Sequence, residues 1–175
     1  MNTVTKVMHY TIALTSFLFL SACSANRDKP VNPDPDPEPE DSLVFTTKFT
    51  TNNWVYTDDN WMLLFINADC NRKTGWEGYD FLVNSEVKSD ETTTLKYWDG
   101  SAWVHLADIP YRVSGNEMEL SIPLALLNLE PSDVTFDFKW ADNIQKLDDI
   151  NEFFINGDVA PERRFDYYYG NFKKI

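Results

Sequence analysis

From residue 42 onward, apolar residues come in short runs that polar residues interrupt every few positions, a texture that predicts strands rather than long helices. Residues 42–49 (SLVFTTKF) alternate as a first strand, and Asn52 and Asn53 mark a turn before Trp54, Val55 and Tyr56. Residues 61–84 (WMLLFINADCNRKTGWEGYDFLVN) hold two apolar runs, 62–66 and 79–83, joined by a long loop with Asn67, Asp69, Asn71, Gly75 and Gly78. A loop so rich in carbonyl, carboxylate and glycine groups either binds something or folds over the end of a sheet. Residues 92–98 and 103–106 flank Asp99-Gly100, the strongest hairpin signal in the chain.

A strand over 111–113 then turns at Ser114-Gly115-Asn116 into 117–122, where Met118, Leu120 and Ile122 share one face and Glu117, Glu119 and Ser121 the other. Residues 123–129 predict one or two helical turns, and 134–140 (VTFDFKW) a half-buried strand. A polar segment from Asp142 and Asn143 through Asp148 and Asp149 has room for a short helix before the apolar pattern resumes at Phe153, Phe154 and Ile155. After a turn at Gly157-Asp158, residues 163–169 close the domain with Phe165, Tyr167 and Tyr169 on one face. Eight to ten short strands with turn signals at this spacing predict an all-β fold, an antiparallel β-sandwich of jelly-roll or immunoglobulin-like type.

The first forty residues follow another pattern. Residues 1–22 carry Lys6 in a short polar start, an apolar core over 10–20, and then small residues, which is the layout of a secretory signal and too short to span a bilayer comfortably. The ending Leu20-Ser21-Ala22-Cys23 resembles the bacterial lipobox, which implies cleavage before Cys23 and acylation of that cysteine. Ser24 follows it rather than Asp, which by the same resemblance implies an outer-membrane lipoprotein, on its periplasmic or cell-surface face. Residues 23–41 then alternate Pro30, Pro33, Pro35, Pro37 and Pro39 with acids, a composition that favours an extended spacer at about 3.1 Å per residue.

Composition narrows the function. The chain holds 28 carboxylates and 15 basic residues, of which the first 41 residues contain six and three, so residues 42–175 keep 22 against 12. An acidic surface repels phosphate backbones, and nucleic acid is not expected as a partner. The two cysteines, Cys23 and Cys70, stand in unlike contexts and are not expected to pair. His105 is the one histidine beyond the leader, and there is no G-x-S-x-G, P-loop or dinucleotide fingerprint. Paired carboxylates could serve a glycosidase, but a domain of about 130 residues leaves little room for a cleft, so the chain is not expected to be an enzyme.

With those residues laid out, residues 44–169 resemble the β-sandwich domains related to family-nine carbohydrate-binding modules, the DOMON-like domains attached to bacterial polysaccharide-degrading proteins. The resemblance rests on TDDNWMLLFINAD with TGWEGYDFLVN, then YWDGSAW, GNEMELSIP, FKWADN and NGDVAPERRFDYYY, in that order. It implies non-catalytic binding of a polysaccharide or oligosaccharide beside polysaccharide-degrading enzymes or transporters. The acidic spacer stands where family domains carry further N-terminal strands, which implies a shortened domain. The alternative from another class is a structural or protein-interaction lipoprotein that has lost its sugar site and offers an edge strand to a partner.

Sugar recognition needs flat apolar faces beside polar side chains that replace the water on hydroxyls. Of the six tryptophans, Trp76, between two glycine-bearing turns, is the expected platform, with Tyr79 next; Trp98 and Trp103 flank the hairpin and either bind sugar or pair across the strands. Asp69, Asn71 and Asp80, with Glu77, offer oxygens to a structural calcium ion, which related modules carry; the other reading is that Asp69 and Asp80 bond loop amides. Lys73 and Thr74 at two key positions exclude an EF-hand. Asp158 bonded to Arg164 is the expected clamp on the last loop.

Overall fold

The computed structural model describes residues 9–14, 42–48, 62–115, 117–162 and 164–170, with backbone alone for 9–14, 47 and 48. Cys23, the spacer, Trp54, Trp61 and Arg163 lie outside the described residues. The described chain is all-β and antiparallel. In order it forms β1 (His9–Leu14), β2 (Ser42–Lys48), β3 (Leu63–Asn67), β4 (Phe81–Ser89), β5 (Thr92–Trp98), β6 (Trp103–Ser114), β7 (Glu117–Pro123), β8 (Thr135–Asp142), β9 (Asp158–Ala160) and β10 (Tyr167–Gly170). One curled sheet runs β1-β2-β7-β6-β5-β4-β3-β8-β10, with β9 also on β8.

The curl is centred on β6. Its first part, Trp103 to Pro110, pairs with β5, and its second, Tyr111 to Ser114, pairs with β7. Pro110 is the last residue on the β5 side, so its missing N–H falls where the strand changes partners. The sequence pattern predicts two strands here because proline interrupts it; the fold makes one strand that serves both halves of the sheet.

The halves face each other across a core to which β2 gives Leu43 and Phe45, β7 Met118, Leu120 and Ile122, β3 Leu64 and Ile66, and β8 Phe136, Phe138 and Trp140. Phe45 bridges them, with ring centroids 5.7 Å from both Phe136 and Phe138. The period-2 alternation of β7 and β8 puts these residues on one face, and their burial removes apolar area worth about 25 cal/mol per Å². In β4, Asn84 adopts φ 70° at a register shift and is fully buried. Its side chain donates to the Met62 carbonyl at 2.8 Å and accepts from the Thr93 hydroxyl at 2.7 Å, which satisfies a polar group that would otherwise cost stability.

Two short helical segments occur among the described residues. A 3-10 turn, Leu124–Leu127, lies where one or two helical turns are predicted. The second, α1 (Glu152–Ile155), takes up Phe153, Phe154 and Ile155, which the sequence reading assigns to resumed apolar structure after a helix. Buried Glu152 fixes it by accepting from the Gln145 amide at 3.0 Å and from the Asn156 side chain at 3.1 Å. β1 lies within the residues read as a leader, paired antiparallel to β2.

Candidate functional site

β3 is buried on both faces. Leu64 and Ile66 enter the core between the sheet halves, whereas Leu63 and Phe65 point the other way, into a second cluster with Trp76, Tyr79, Leu82, Ala141, Ile144 and Phe153. Two segments cover that outer face: the loop between β3 and β4, and the stretch from β8 through α1. The first loop is shaped by two glycines with positive φ, Gly75 (66°) and Gly78 (97°). A Cβ on Gly75 would lie 2.1 Å from the Tyr79 carbonyl oxygen, because Trp76 and Tyr79 exchange backbone hydrogen bonds there at 2.8 and 2.9 Å.

This placement corrects the expectation for Trp76. The indole is 8% exposed and stacks on Phe65 at 5.8 Å, with Trp103 at 5.9 Å and Phe153 at 6.1 Å. It is a packing residue, because the outer face of β3 carries apolar side chains that something must cover. Trp98 and Trp103 are half-buried against the same cluster and pair across the hairpin, edge to face at 5.3 Å. Asp99 between them accepts from the Ser101 and Ala102 amides, both at 2.8 Å, and those bonds hold its carboxyl below the usual range. Tyr79 lines a cavity to which none of these three tryptophans contributes.

The cavity measures about 180 Å³ and opens between the β3–β4 loop, α1 and the last loop, described at 161, 162 and 164–166. Tyr79, Lys139 and Asp166 meet in its wall. The Tyr79 hydroxyl donates to Asp166 Oδ1 at 2.6 Å, and Arg72 donates to Asp166 Oδ2 at 3.2 Å. Lys139 Nζ lies 3.7 Å from Asp166 Oδ1 and donates to the Pro161 carbonyl at 2.9 Å and to the Phe165 carbonyl. Burial pushes the Tyr79 phenol far above its ordinary range, and the hydrogen bond to Asp166 pushes the same way. Burial also lowers Lys139, against the upward pull of Asp166. A lysine 1% exposed is tolerable only with such partners.

Lys139 and Asp166 therefore clamp the last loop, a role expected of Asp158 and Arg164. Asp158 is exposed on β9, opposite Asp142, and no bond joins it to Arg164 among the described residues. Arg164 instead lines the cavity, its guanidinium 5.9 Å from the Phe165 ring centroid. Phe154 also lines the cavity and is 58% exposed. Neither Phe154 nor Asp166 follows from local pattern. The one available signal is that Phe153 and Phe154 are adjacent in a polar segment, so a helical turn must expose one while burying the other.

The oxygens considered for calcium are engaged with their own loop. Asp80 Oδ2 accepts from the Ala68 amide at 2.9 Å, Asp69 from the Asn71 amide at 2.8 Å and the Thr74 hydroxyl at 2.9 Å, and Asn71 from the Lys73 amide at 3.1 Å. Burial raises Asp80, offset in part by the Ala68 amide. Asp69, Asn71 and Asp80 thus bond groups of their own loop, and among the described residues no three His, Cys, Asp or Glu side chains converge on one point. Among those same residues no helix is long and apolar enough to cross a membrane. No protein-family model matches the chain, and neither the curated proteins nor the solved structures contain a match to it.

Proposed function

We propose that the domain binds carbohydrate without chemistry, at the cavity between the β3–β4 loop, α1 and the last loop. In this reading a lipid on Cys23 holds it at the outer membrane, near polysaccharide-degrading enzymes or transporters. The observation that carries the binding reading is the 58% exposed Phe154 ring beside a polar wall of Arg72, Asp166, Lys139 and Tyr79. A pyranose offers C–H groups on one face and hydroxyls around its edge, and it is met by that pairing of an aromatic plane with fixed donors and acceptors. The cavity is small, which suits one terminal sugar rather than a long chain. Asp166 and Lys139 are already paired, so they arrive preorganised and add little ordering cost.

A glycan array followed by calorimetry on the strongest ligand tests this. Phe154→Ala is expected to weaken saturable binding about ten-fold while the protein stays folded. Silence across the array, or unchanged affinity in Phe154→Ala, removes the proposal. The anchor has its own test: labelling with a palmitate analogue should mark the protein and be lost in Cys23→Ala.

A further inference from the structure

β2 presents an edge that must be filled. It runs seven residues, Ser42–Lys48, without proline, and pairs with β7 residue for residue with no bulge. Sheets normally blunt an edge of that length with proline, bulges or inward charges. Here the outer side of β2 is taken by β1, in continuous antiparallel register from His9↔Lys48 to Leu14↔Leu43. Those six residues lie within the segment read as a leader removed before Cys23, and the inference rests on that reading. Once the leader is gone, the outward N–H and C=O groups that β1 engages over residues 43–48 lose that partner, beside Leu43 and Phe45, both sealed in the core when β1 is present.

We infer that in the processed protein the β2 edge accepts an antiparallel strand from a protein partner, in the register that β1 shows. Main-chain hydrogen bonds supply affinity in such additions, and alternate side chains supply specificity. Directly opposed residues share a sheet face, so the positions opposite Leu43 and Phe45, both buried in the core, lie on the core side, and period 2 adds the position opposite residue 47. In β1 these positions are Leu14, Ile12 and Tyr10, with Ala13 and Thr11 between them. The partner strand therefore carries apolar residues at three alternate positions and small or polar ones between. The processed chain, residues 23–175, holds 28 carboxylates against 14 basic residues, a charge that opposes a second copy at this edge and favours a neutral or basic strand.

The protein purified from membranes is weighed by mass spectrometry to establish that the leader is absent. A fluorescein-labelled peptide of residues 8–15 is then titrated into it and into the Cys23→Ala precursor, which keeps its leader. Saturable binding to the processed form, about ten-fold weaker binding to the precursor, and loss of binding on Ile12→Pro in the peptide are expected. The peptide variant leaves the fold of the domain untouched. The inference is overturned by a leader that remains on the purified protein, by absent or equal binding to the two forms, or by binding that survives the proline. It is also overturned by a dimer that the peptide dissociates, which gives the edge to a second copy. Failure here leaves the sugar reading standing, because the cavity lies on the other half of the sheet.

Discussion

The two faces of β3 carry two aromatic clusters built from neighbouring residues of one strand, yet they are different environments. On the inner face Leu64 and Ile66 meet Phe45, Phe136 and Trp140, all within 1% of complete burial. On the outer face Phe65 meets Trp76, Tyr79, Trp103 and Phe153, and this cluster frays into half-buried Trp98 and then into a cavity with Arg72, Asp166 and Lys139. The inner cluster is sealed by strands on both sides. The outer is sealed by loops, and loops end in polar groups that must be satisfied. The chemistry therefore gathers at the margin of the outer cluster, because an apolar lid there meets charged side chains at its rim.

Breaking the inner cluster should have the largest effect. Phe136 is fully buried and touches Phe45, Phe138 and Tyr169, so Phe136→Ala removes a ring that strands cannot collapse to replace. The expected loss is about 4–5 kcal/mol, a large share of a small domain's stability, read as a lowered denaturant midpoint or failure to accumulate. Trp76→Ala tests the outer cluster. Its loss is expected near the lower end of the same range, about 3 kcal/mol, because a loop can partly close over the space. Sugar affinity, corrected for folded protein, should not change. A Trp76→Ala protein that is as stable as wild type but loses affinity would return this residue to the role of platform.

Much of the fold is legible in the sequence because it follows from local rules. Asp99-Gly100 forces the β5–β6 turn, and Met118, Leu120 and Ile122 point inward because strand period is 2. The candidate site is far less legible, since its members come from distant segments. Lys139 lies in the alternating run FDFKW, where period 2 puts it on the face expected to meet water. It is buried because the last loop brings the Pro161 and Phe165 carbonyls onto its ammonium group, which no local pattern encodes. Trp76 misleads in the opposite sense: loop tryptophans attract a binding interpretation, but the continuous run LLFI already requires cover on both faces of β3. Cys70 shows the same limit, for it is exposed at φ 54° within the loop, and partial desolvation of its thiol, with the charges of Asp137 and Asp69, raises it.

A smaller effect probes the rim between the clusters. Tyr79 keeps its proton in the folded state well above its ordinary value of 10.0, whereas the unfolded chain ionises there. A raised folded pKa means that the contribution is complete below pH 10 and is lost as pH climbs beyond it, at up to about 1.4 kcal/mol per pH unit. Lys139 works in the opposite sense, gaining as pH approaches 10.5, but it is present in both proteins compared. Tyr79→Phe is expected to cost about 1 kcal/mol at pH 7 through the lost hydrogen bond, and to flatten the decline of melting temperature above pH 10. Equal alkaline slopes in the two proteins would place the phenol in water rather than against Asp166.

The smallest expected effect distinguishes the two clamps proposed for the last loop. Asp158 is exposed and stands opposite Asp142 in the β8–β9 pairing, so like charges face each other across the strands. Asp158→Ala removes that repulsion and no described ion pair. Its effect should stay within about 0.5 kcal/mol, on the stabilising side at low salt, and should shrink as salt screens the pair. A clamp to Arg164 makes the opposite forecast: the variant would lose more than about 1 kcal/mol, and Arg164→Ala would lose as much, with no further loss when both are changed. Additive, near-zero effects of the two substitutions leave the loop to Lys139, which donates to the Pro161 and Phe165 carbonyls, and to its partner Asp166; those contacts depend on neither residue.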